Sequence, residues 1–105
     1  MKIGHIIVPA GDLDAQLAFY ESLGLTTRFR DGDRYAAVTD GTTTVGLADE
    51  SQQPVPGRTV LTLQVDDLDA CLESRPATEP VEGPHERRAV VTDPSGNPVV
   101  LYERL

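Results

Sequence analysis

The stretch Val90-Val91-Thr92-Asp93-Pro94-Ser95-Gly96-Asn97-Pro98-Val99-Val100-Leu101-Tyr102-Glu103 predicts two strands joined by a tight turn. Its centre has turn chemistry: Asp93 at the first position, Pro94 with its fixed φ at the second, and Gly96 at the last. The flanks are apolar and β-branched, as the strands of a hairpin require. A shorter version of the same layout occurs earlier, where residues 38–41 precede the run 42–47.

Two short peptides recur in the same order in the two halves of the chain. Val38-Thr39-Asp40 reappears as Val91-Thr92-Asp93, at an offset of 53 residues. Asp12-Leu13-Asp14-Ala15 reappears as Asp67-Leu68-Asp69-Ala70, at an offset of 55 residues, and each copy follows a short apolar run. Two matches in order at nearly the same offset indicate a duplicated unit of about half the chain.

Length and charge limit the class of protein. The 105 residues suffice for a single domain with one core. The net charge of −8, with Lys2 as the one lysine, lacks the basic face of a nucleic-acid binder, so we expect no nucleic-acid partner. An acidic surface is compatible with attracting a cationic small molecule. Solubility is the simpler explanation of the charge.

Cysteine and hydropathy patterns point to a cytoplasmic protein. The single cysteine, Cys71, excludes an internal disulfide and any cysteine-based metal cage. No run approaches the ~18 apolar residues of a membrane span, so no membrane association is expected. The strand-like residues 2–8 lack the basic and apolar regions of a signal peptide.

The periodicity predicts β-α-β-β-β in the first half, residues 1–50. Asp12 is a plausible N-cap of the helix, Gly24 its C′ glycine, and Leu13, Leu17, Tyr20 and Leu23, with Phe19 alongside, its apolar stripe. The predicted strands span residues 2–8, 25–30, 34–38 and 42–47.

A polar, proline-rich connector at residues 51–58 leads to a second half, 59–105, that repeats the order. Asp67 is expected to cap a short helix carrying Leu68, Cys71 and Leu72, and Pro76 stops it. The predicted strands span residues 59–65, 77–81, 86–92 and 97–103, with the second of them demoted to an edge by Pro80.

Four segments carry a family resemblance: His5–Val8, Phe19–Leu25, Val65–Asp69 and Asp93–Pro98. They resemble the vicinal oxygen chelate superfamily, which includes glyoxalase I, extradiol dioxygenases, fosfomycin-resistance enzymes and bleomycin-resistance binding proteins. The resemblance covers essentially the whole chain. It implies an α+β fold in which two βαβββ modules form curved mixed sheets around a cleft.

Metal-dependent members of that superfamily place a histidine on the first strand of each module and a glutamate on the closing strand. His5 matches the first position, but Thr62 or Val60 stands at the second, depending on the alignment, and Val100 at the third. Glu103 has the opposite side-chain parity to Val100 and is expected to point away from the cleft. One imidazole does not hold a divalent ion, which needs several converging N or O ligands. No metal and no cofactor are therefore expected.

Other candidate chemistry has simpler explanations. His85 follows a Gly-Pro turn and is expected at the surface, although a metal site shared with His5 is conceivable. Cys71 reads as a small buried hydrophobe rather than a nucleophile. The aspartates at residues 12, 14, 66 and 67 read as helix starts, and the arginines at residues 28, 30, 34, 87 and 88 as surface cations beside acidic partners or contacts for an anionic ligand.

The favoured interpretation is a metal-free small-molecule-binding protein, similar to the bleomycin-resistance members, that sequesters an apolar or aromatic metabolite and has no catalytic residue. By strand alternation from His5, the expected ligand-binding residues are His5, Ile7, Tyr35, Val45, Leu47, Val60, Thr62, Gln64, Val100 and Tyr102. The resemblance also implies a homodimer.

Two alternatives remain open. One is a divergent lyase, isomerase or dioxygenase-like enzyme that uses His5 as an acid/base, since histidine titrates near neutral pH, or as part of a reduced metal site. The other is a dimeric scaffold whose cleft has closed.

Overall fold

A computed structural model describes residues 1–105 and contains two compact units. The N-terminal unit is His5–Thr59, and the C-terminal unit consists of Met1–Gly4 with Val60–Leu105. The element order is β-α-β-β-β followed by β-α-β-β-β, which confirms the predicted α+β class with two βαβββ modules. Neither helix has the length and apolar character needed to cross a bilayer.

The elements of the first module are β1 (Lys2–Pro9), α1 (Leu13–Ser22), β2 (Thr26–Asp31), β3 (Tyr35–Thr39) and β4 (Thr44–Ala48). Its strands lie in the order β2-β3-β4-β1. β4 pairs with β1 in parallel, and the other neighbours are antiparallel. The β2–β3 register shifts between Thr27 and Phe29.

The elements of the second module are β5 (Val60–Gln64), α2 (Leu68–Leu72), β6 (Val81–Glu82), β7 (Glu86–Thr92) and β8 (Pro98–Arg104). Its strands repeat the arrangement in the order β5-β8-β7-β6, with β5 and β8 parallel. The edge strand predicted at residues 77–81 begins only at Val81, and Ala77 makes an isolated bridge to Val91.

The repeated Asp-Leu-Asp-Ala peptides start the two helices, as predicted. The Asp12 carboxylate accepts a hydrogen bond from Ala15 N at 3.1 Å, and the Asp67 carboxylate accepts one from Ala70 N at 3.1 Å. Helix α1 is followed by Gly24 at φ 109°, which a residue with a Cβ adopts only with strain. These aspartates are therefore helix caps and not paired catalytic acids.

The core of the N-terminal unit lies between α1 and one face of its sheet. Leu13 and Leu17 pack there, and Tyr20 is partly buried against them. The predicted stripe is wrong at its end, because Leu23 is 69% exposed, and Phe19 beside the stripe is 57% exposed. The other buried members of this core are Ala10, Ala36, Val38 and Leu47.

The core of the C-terminal unit lies between α2 and its sheet. Leu68 is completely buried, while Cys71 and Leu72 are partly buried beside it, as predicted. The buried sheet residues of this core are Ala89 and Leu101, with Val65 beyond the end of β5. Helix α2 has five residues where α1 has ten, so it shields less of its sheet.

The repeated Val-Thr-Asp peptides end in aspartates that organise the following turn. The Asp40 carboxylate accepts hydrogen bonds from Thr42 N and Thr43 N at 2.9 and 2.8 Å. Asp93 accepts them from Ser95 N and Asn97 N, both at 2.9 Å. The hydrogen bond from Thr43 lowers the pKa of Asp40, and that from Asn97 lowers the pKa of Asp93, because both bonds favour the ionised form.

These turns predict a loss of stability in acid. A carboxyl whose folded-state pKa lies below its unfolded value stabilises the fold above the unfolded pKa, and the contribution is lost as the pH falls through the folded pKa. We expect the urea midpoint to fall below about pH 4. Asp93→Asn should flatten this fall, because an amide oxygen still accepts the turn N–H groups but does not titrate.

Glu50→Gln is the matched control, since the exposed Glu50 carboxylate makes no hydrogen bond or ion pair. It should keep the wild-type pH profile. Equal acid sensitivity in the Asp93→Asn and wild-type proteins would contradict a stabilising role for the Asp93 charge.

Candidate functional site

Each module has a sheet face covered by its helix and a second face without a helix, here called the helix-free face. In the N-terminal unit, Val8, Val45 and Leu47 pack in the α1 core. Because side chains alternate along a strand, Ile7 and Gly46, which are paired in the β1–β4 register, lie on the helix-free face. Tyr35 lies on this face too, with its ring across Gly46.

The expectation that Val45 and Leu47 face the same way as Tyr35 is wrong. Leu47 is completely buried in the core beneath α1, and Val45 packs against the same core. The physical reason is the parallel β1–β4 register, which pairs Ile7 with Gly46 rather than with Val45 or Leu47. A shift of one residue in register moves every side chain of a strand to the other face.

The helix-free face of the N-terminal unit therefore carries three of the predicted residues. Ile7 is buried, and His5 and Tyr35 are half-buried. Phe29, which the sequence did not single out, joins them, with its ring centroid 6.4 Å from that of Tyr35. The Phe29 side chain is 55% exposed and so extends this face as an accessible aromatic surface.

The helix-free face of the C-terminal unit carries the other five predicted residues. Thr62 pairs with Val100, and Gln64 pairs with Tyr102. Val60 joins them by alternation, whereas Leu63 and Leu101 point to the helix side. Gly4 lies under the Tyr102 ring, so a Cβ there would be 2.8 Å from Tyr102 Cε1 and 2.9 Å from Thr62 Oγ1.

Burial divides this face into a closed part and an accessible edge. Val60, Thr62, Val100 and Tyr102 are between 1% and 7% exposed, whereas Gln64 is half-buried. The β7–β8 register places Arg88 opposite Tyr102. The row Gln64–Tyr102–Arg88, here called the polar row, thus crosses three strands on one face, with an amide and a guanidinium at its half-buried ends and the buried Tyr102 between them.

Arg88 is one of the arginines expected as surface cations or as contacts for an anionic ligand, and it is not among the expected binding residues. The turn Asp93–Gly96 could have predicted the position of Arg88, because antiparallel pairing outward from that turn brings Thr92 opposite Pro98 and Arg88 opposite Tyr102. Its acidic neighbour Glu86 is 4.0 Å away, with both side chains over a third exposed, so that pair contributes little.

Gln64 has an unusual environment for an amide. Its Oε1 atom is buried and accepts no hydrogen bond. Leaving such an acceptor without a donor costs about 1–3 kcal/mol, so almost all buried polar atoms have a partner or meet a water or ligand. The polar row therefore contains a buried acceptor that a donor from outside the chain would satisfy.

The residues present do not fit the divalent metal of the superfamily's metal-dependent members. The Glu103 carboxylate accepts a hydrogen bond from Leu68 N at 3.0 Å, which confirms that it points to the helix side. Thr62 and Val100 lie where further ligands would stand, and His85 is exposed. No group of three or more His, Cys, Asp or Glu side chains is arranged to hold a metal ion.

Three of the other arginines pair with acidic neighbours, as expected if they are surface cations and not contacts for an anionic ligand. Arg30 Nη2 lies 2.7 Å from Asp14 Oδ1, Arg34 pairs with Asp31 at 2.6 Å, and Arg87 with Asp69 at 3.2 Å. The hydrogen bond to Asp14 raises the pKa of Arg30, and that to Asp69 raises the pKa of Arg87. These cations have a carboxylate oxygen within 3.2 Å, whereas Glu86 is 4.0 Å from Arg88, so they are weaker candidates for ligand contacts than Arg88.

Comparison with known proteins gives one family and one fold. The family model described as Glyoxalase/Bleomycin resistance protein/Dioxygenase superfamily matches residues 2–101. An uncharacterized protein of Mycolicibacterium smegmatis is 38% identical over 110 residues, covering 99% of this chain and 95% of its own.

Two crystal structures share the fold at low identity. A superfamily member from Vibrio splendidus has a TM-score of 0.73 at 13% identity, covering 96% of this chain and 97% of its own. A Legionella pneumophila protein described as NAD-dependent benzaldehyde dehydrogenase has a TM-score of 0.74 at 14% identity, covering 95% and 97%. At these identities the likeness shows the fold alone.

Proposed function

Because the chain belongs to the glyoxalase/bleomycin resistance protein/dioxygenase superfamily, we propose that it is a metal-free protein that binds and sequesters a small apolar or aromatic metabolite. The superfamily fold hosts enzymes and binders alike, so the function must be argued from the site. The observation that carries the proposal is the buried, unpartnered Oε1 of Gln64.

The polar row suggests the chemistry of the ligand. Gln64 Oε1 requires a donor, which a ligand hydroxyl or amino group supplies. Arg88 offers a planar set of donors that suits a carboxylate. Tyr102 lies between them, and the 7% of the residue that is exposed adds an aromatic edge. We therefore expect an aromatic carboxylate that also carries a hydroxyl or amino group, with 4-hydroxybenzoate and 4-aminobenzoate as first probes.

The donor set supports the metal-free part of the proposal. Glu103 accepts a hydrogen bond from a backbone N–H group at the start of α2, on the helix side. Aliphatic or hydroxyl side chains stand where the other metal ligands would lie. Elemental analysis of the purified protein tests this directly. Stoichiometric Ni, Zn, Mn or Fe would overturn it.

Gln64→Met is expected to raise stability and weaken binding together. The thioether has a similar length but no strong acceptor, so the cost of the unpartnered oxygen disappears and the free energy of unfolding rises by about 1 kcal/mol. A ligand that donates to Oε1 loses that bond, and its affinity falls about tenfold. Urea denaturation measures the first effect and calorimetric titration of a hit from a thermal-shift screen the second.

Gln53→Met is the matched control. Both ends of the Gln53 amide are satisfied, since Nε2 donates to Ala48 O at 3.0 Å and Oε1 accepts from Gly57 N at 2.8 Å. Gln53→Met should therefore lower the free energy of unfolding and leave ligand affinity intact. A destabilised Gln64→Met protein with unaltered affinity would contradict the proposed role of Gln64. Saturable binding with turnover that His5→Ala abolishes would show an enzyme instead.

Two further parts of the proposal come from the composition and the resemblance. We propose a cytoplasmic location and a homodimer. Cell fractionation and light scattering of the purified protein test them, and a monomer at all concentrations would contradict the second.

A further inference from the structure

The C-terminal unit contains a cavity of about 770 Å³ on the helix side of its sheet. Helix α2 is half the length of α1, so the sheet beyond its end is not covered by helix. After the helix, residues 75–78 run past the sheet and form one wall of the cavity. The volume is within the range of ligand-binding pockets, about 300–1,000 Å³.

The floor of the cavity is apolar. Leu63, Val91, Val99 and Leu101 line it from three neighbouring strands, and Met1 lines it from the N-terminus. Met1 is 76% exposed, and Leu61, on the same face of β5 as Leu63, is 37% exposed. Covering this accessible apolar surface with a hydrocarbon lowers the free energy, because the surface is removed from water.

Arg75 is the one cationic side chain that lines the cavity. Its guanidinium makes no hydrogen bond or ion pair within the chain. Two polar neighbours are already engaged: Thr78 Oγ1 accepts from Val90 N at 2.9 Å, and Asp93 accepts from the N–H groups of its own turn. Arg75 is therefore the one charged side chain of the cavity without a hydrogen-bond partner, whereas the ionised Asp93 is held by its own turn.

We propose that this cavity binds a medium-chain aliphatic carboxylate, with the hydrocarbon chain on the apolar strands and the carboxylate on Arg75. An apolar floor with one unpaired guanidinium fits an amphipathic monoanion. It does not fit a polyanion, because Asp93 adds a negative charge at the cavity. The planar guanidinium offers two parallel donors to a carboxylate.

This site is separate from the polar row. Within the C-terminal unit, Leu63 and Gln64 are adjacent on β5 and point to opposite faces of the sheet. A ligand in the cavity therefore contacts neither Gln64 nor Arg88. The cavity proposal does not depend on the proposed function.

Cys71 provides the test, because it lines the cavity and is the only thiol of the chain. Alkylation by iodoacetamide, a neutral reagent, is followed by mass spectrometry with and without decanoate below its micelle concentration. Bound decanoate should slow alkylation at least about fivefold at saturation. Butyrate should not protect, because its chain is too short to cover the apolar floor.

Arg75→Gln should raise the decanoate concentration for half-protection about tenfold, the effect of losing one charge-assisted contact. Arg58→Gln is the matched control, since it removes the same charge from an exposed arginine in the connector and should change nothing. Gln64→Met should also leave protection unchanged, so failure of the proposed function and failure of the cavity proposal are distinguishable.

Four results would overturn the proposal. They are no protection by decanoate, equal protection by decylamine, equal half-protection concentrations in the Arg75→Gln and wild-type proteins, and protection of Cys71 that increases with protein concentration in the absence of decanoate. The last result would identify a second copy of the chain as the occupant.

Discussion

Leu47→Ala is expected to lower the free energy of unfolding by about 3 kcal/mol, the largest loss that we predict from one substitution. Leu47 is completely buried, and its side chain lies beneath α1. Its strand is held on both sides, with Leu47 opposite Ala36 on β3 and Val8 on β1. Because neither neighbouring strand can move inward without breaking its ladder, the cavity left by the three missing carbons stays open. Urea denaturation followed by circular dichroism measures the loss.

Leu23→Ala is the matched control, because the Leu23 side chain is 69% exposed at the end of the same helix. It should change stability by less than about 0.5 kcal/mol. The Leu47→Ala protein, at a temperature where it remains folded, should bind ligand as tightly as wild type. A stable Leu47→Ala protein with impaired binding would show that Leu47 belongs to the binding surface and not to the core.

Gly4→Ala is expected to cost about 2 kcal/mol, since it forces an extra carbon into a packed site. The new Cβ would lie 2.8 Å from Tyr102 Cε1 and 2.9 Å from Thr62 Oγ1, and it would meet the Tyr102 hydroxyl as well. Tyr102 and Thr62 are 7% and 1% exposed, so neither has free space to move into. The midpoint of urea unfolding measures this cost.

Gly11→Ala is the control, because nothing lies within 4 Å of a Cβ built there. It should leave stability nearly unchanged or raise it slightly by restricting the unfolded chain. Tyr102→Phe tests the cause: removing the hydroxyl should recover part of the Gly4→Ala loss, so the double variant is more stable than the sum of the single changes predicts. If the free-energy changes of Gly4→Ala and Tyr102→Phe were strictly additive, the Tyr102 hydroxyl would not be the atom that clashes with the new Cβ.

Features that depend on neighbouring residues were predictable from the sequence. The caps at Asp12 and Asp67, the turn at Asp93–Gly96 and the order of elements all follow from local hydrogen-bond chemistry and side-chain periodicity. The direction of Glu103 was also predictable, because its parity relative to Val100 is a property of one strand.

Features that depend on the register between strands were not predictable. Alternation along β4 shows that Val45 and Leu47 share a face, but it does not show which face α1 covers. For the same reason the sequence did not predict that Phe29 joins the helix-free face, since a shift in the β2–β3 register aligns it with Ala37. It also did not distinguish Arg88 from the other surface cations. The missing helix length over the C-terminal sheet became a cavity only once the strands beneath it were in place.

The sequence alone determined the duplicated βαβββ plan, the family, and the absence of the usual ligand residues at the positions of Thr62 and Val100, because these depend on residue identity and short-range order. The tertiary structure decided which side chains share a surface: Gln64 with Tyr102 and Arg88, and Arg75 with the apolar strands. The physical reason is that a hydrogen-bonded ladder can pair two strands in several registers, and only the packing of the helices against the sheets selects one.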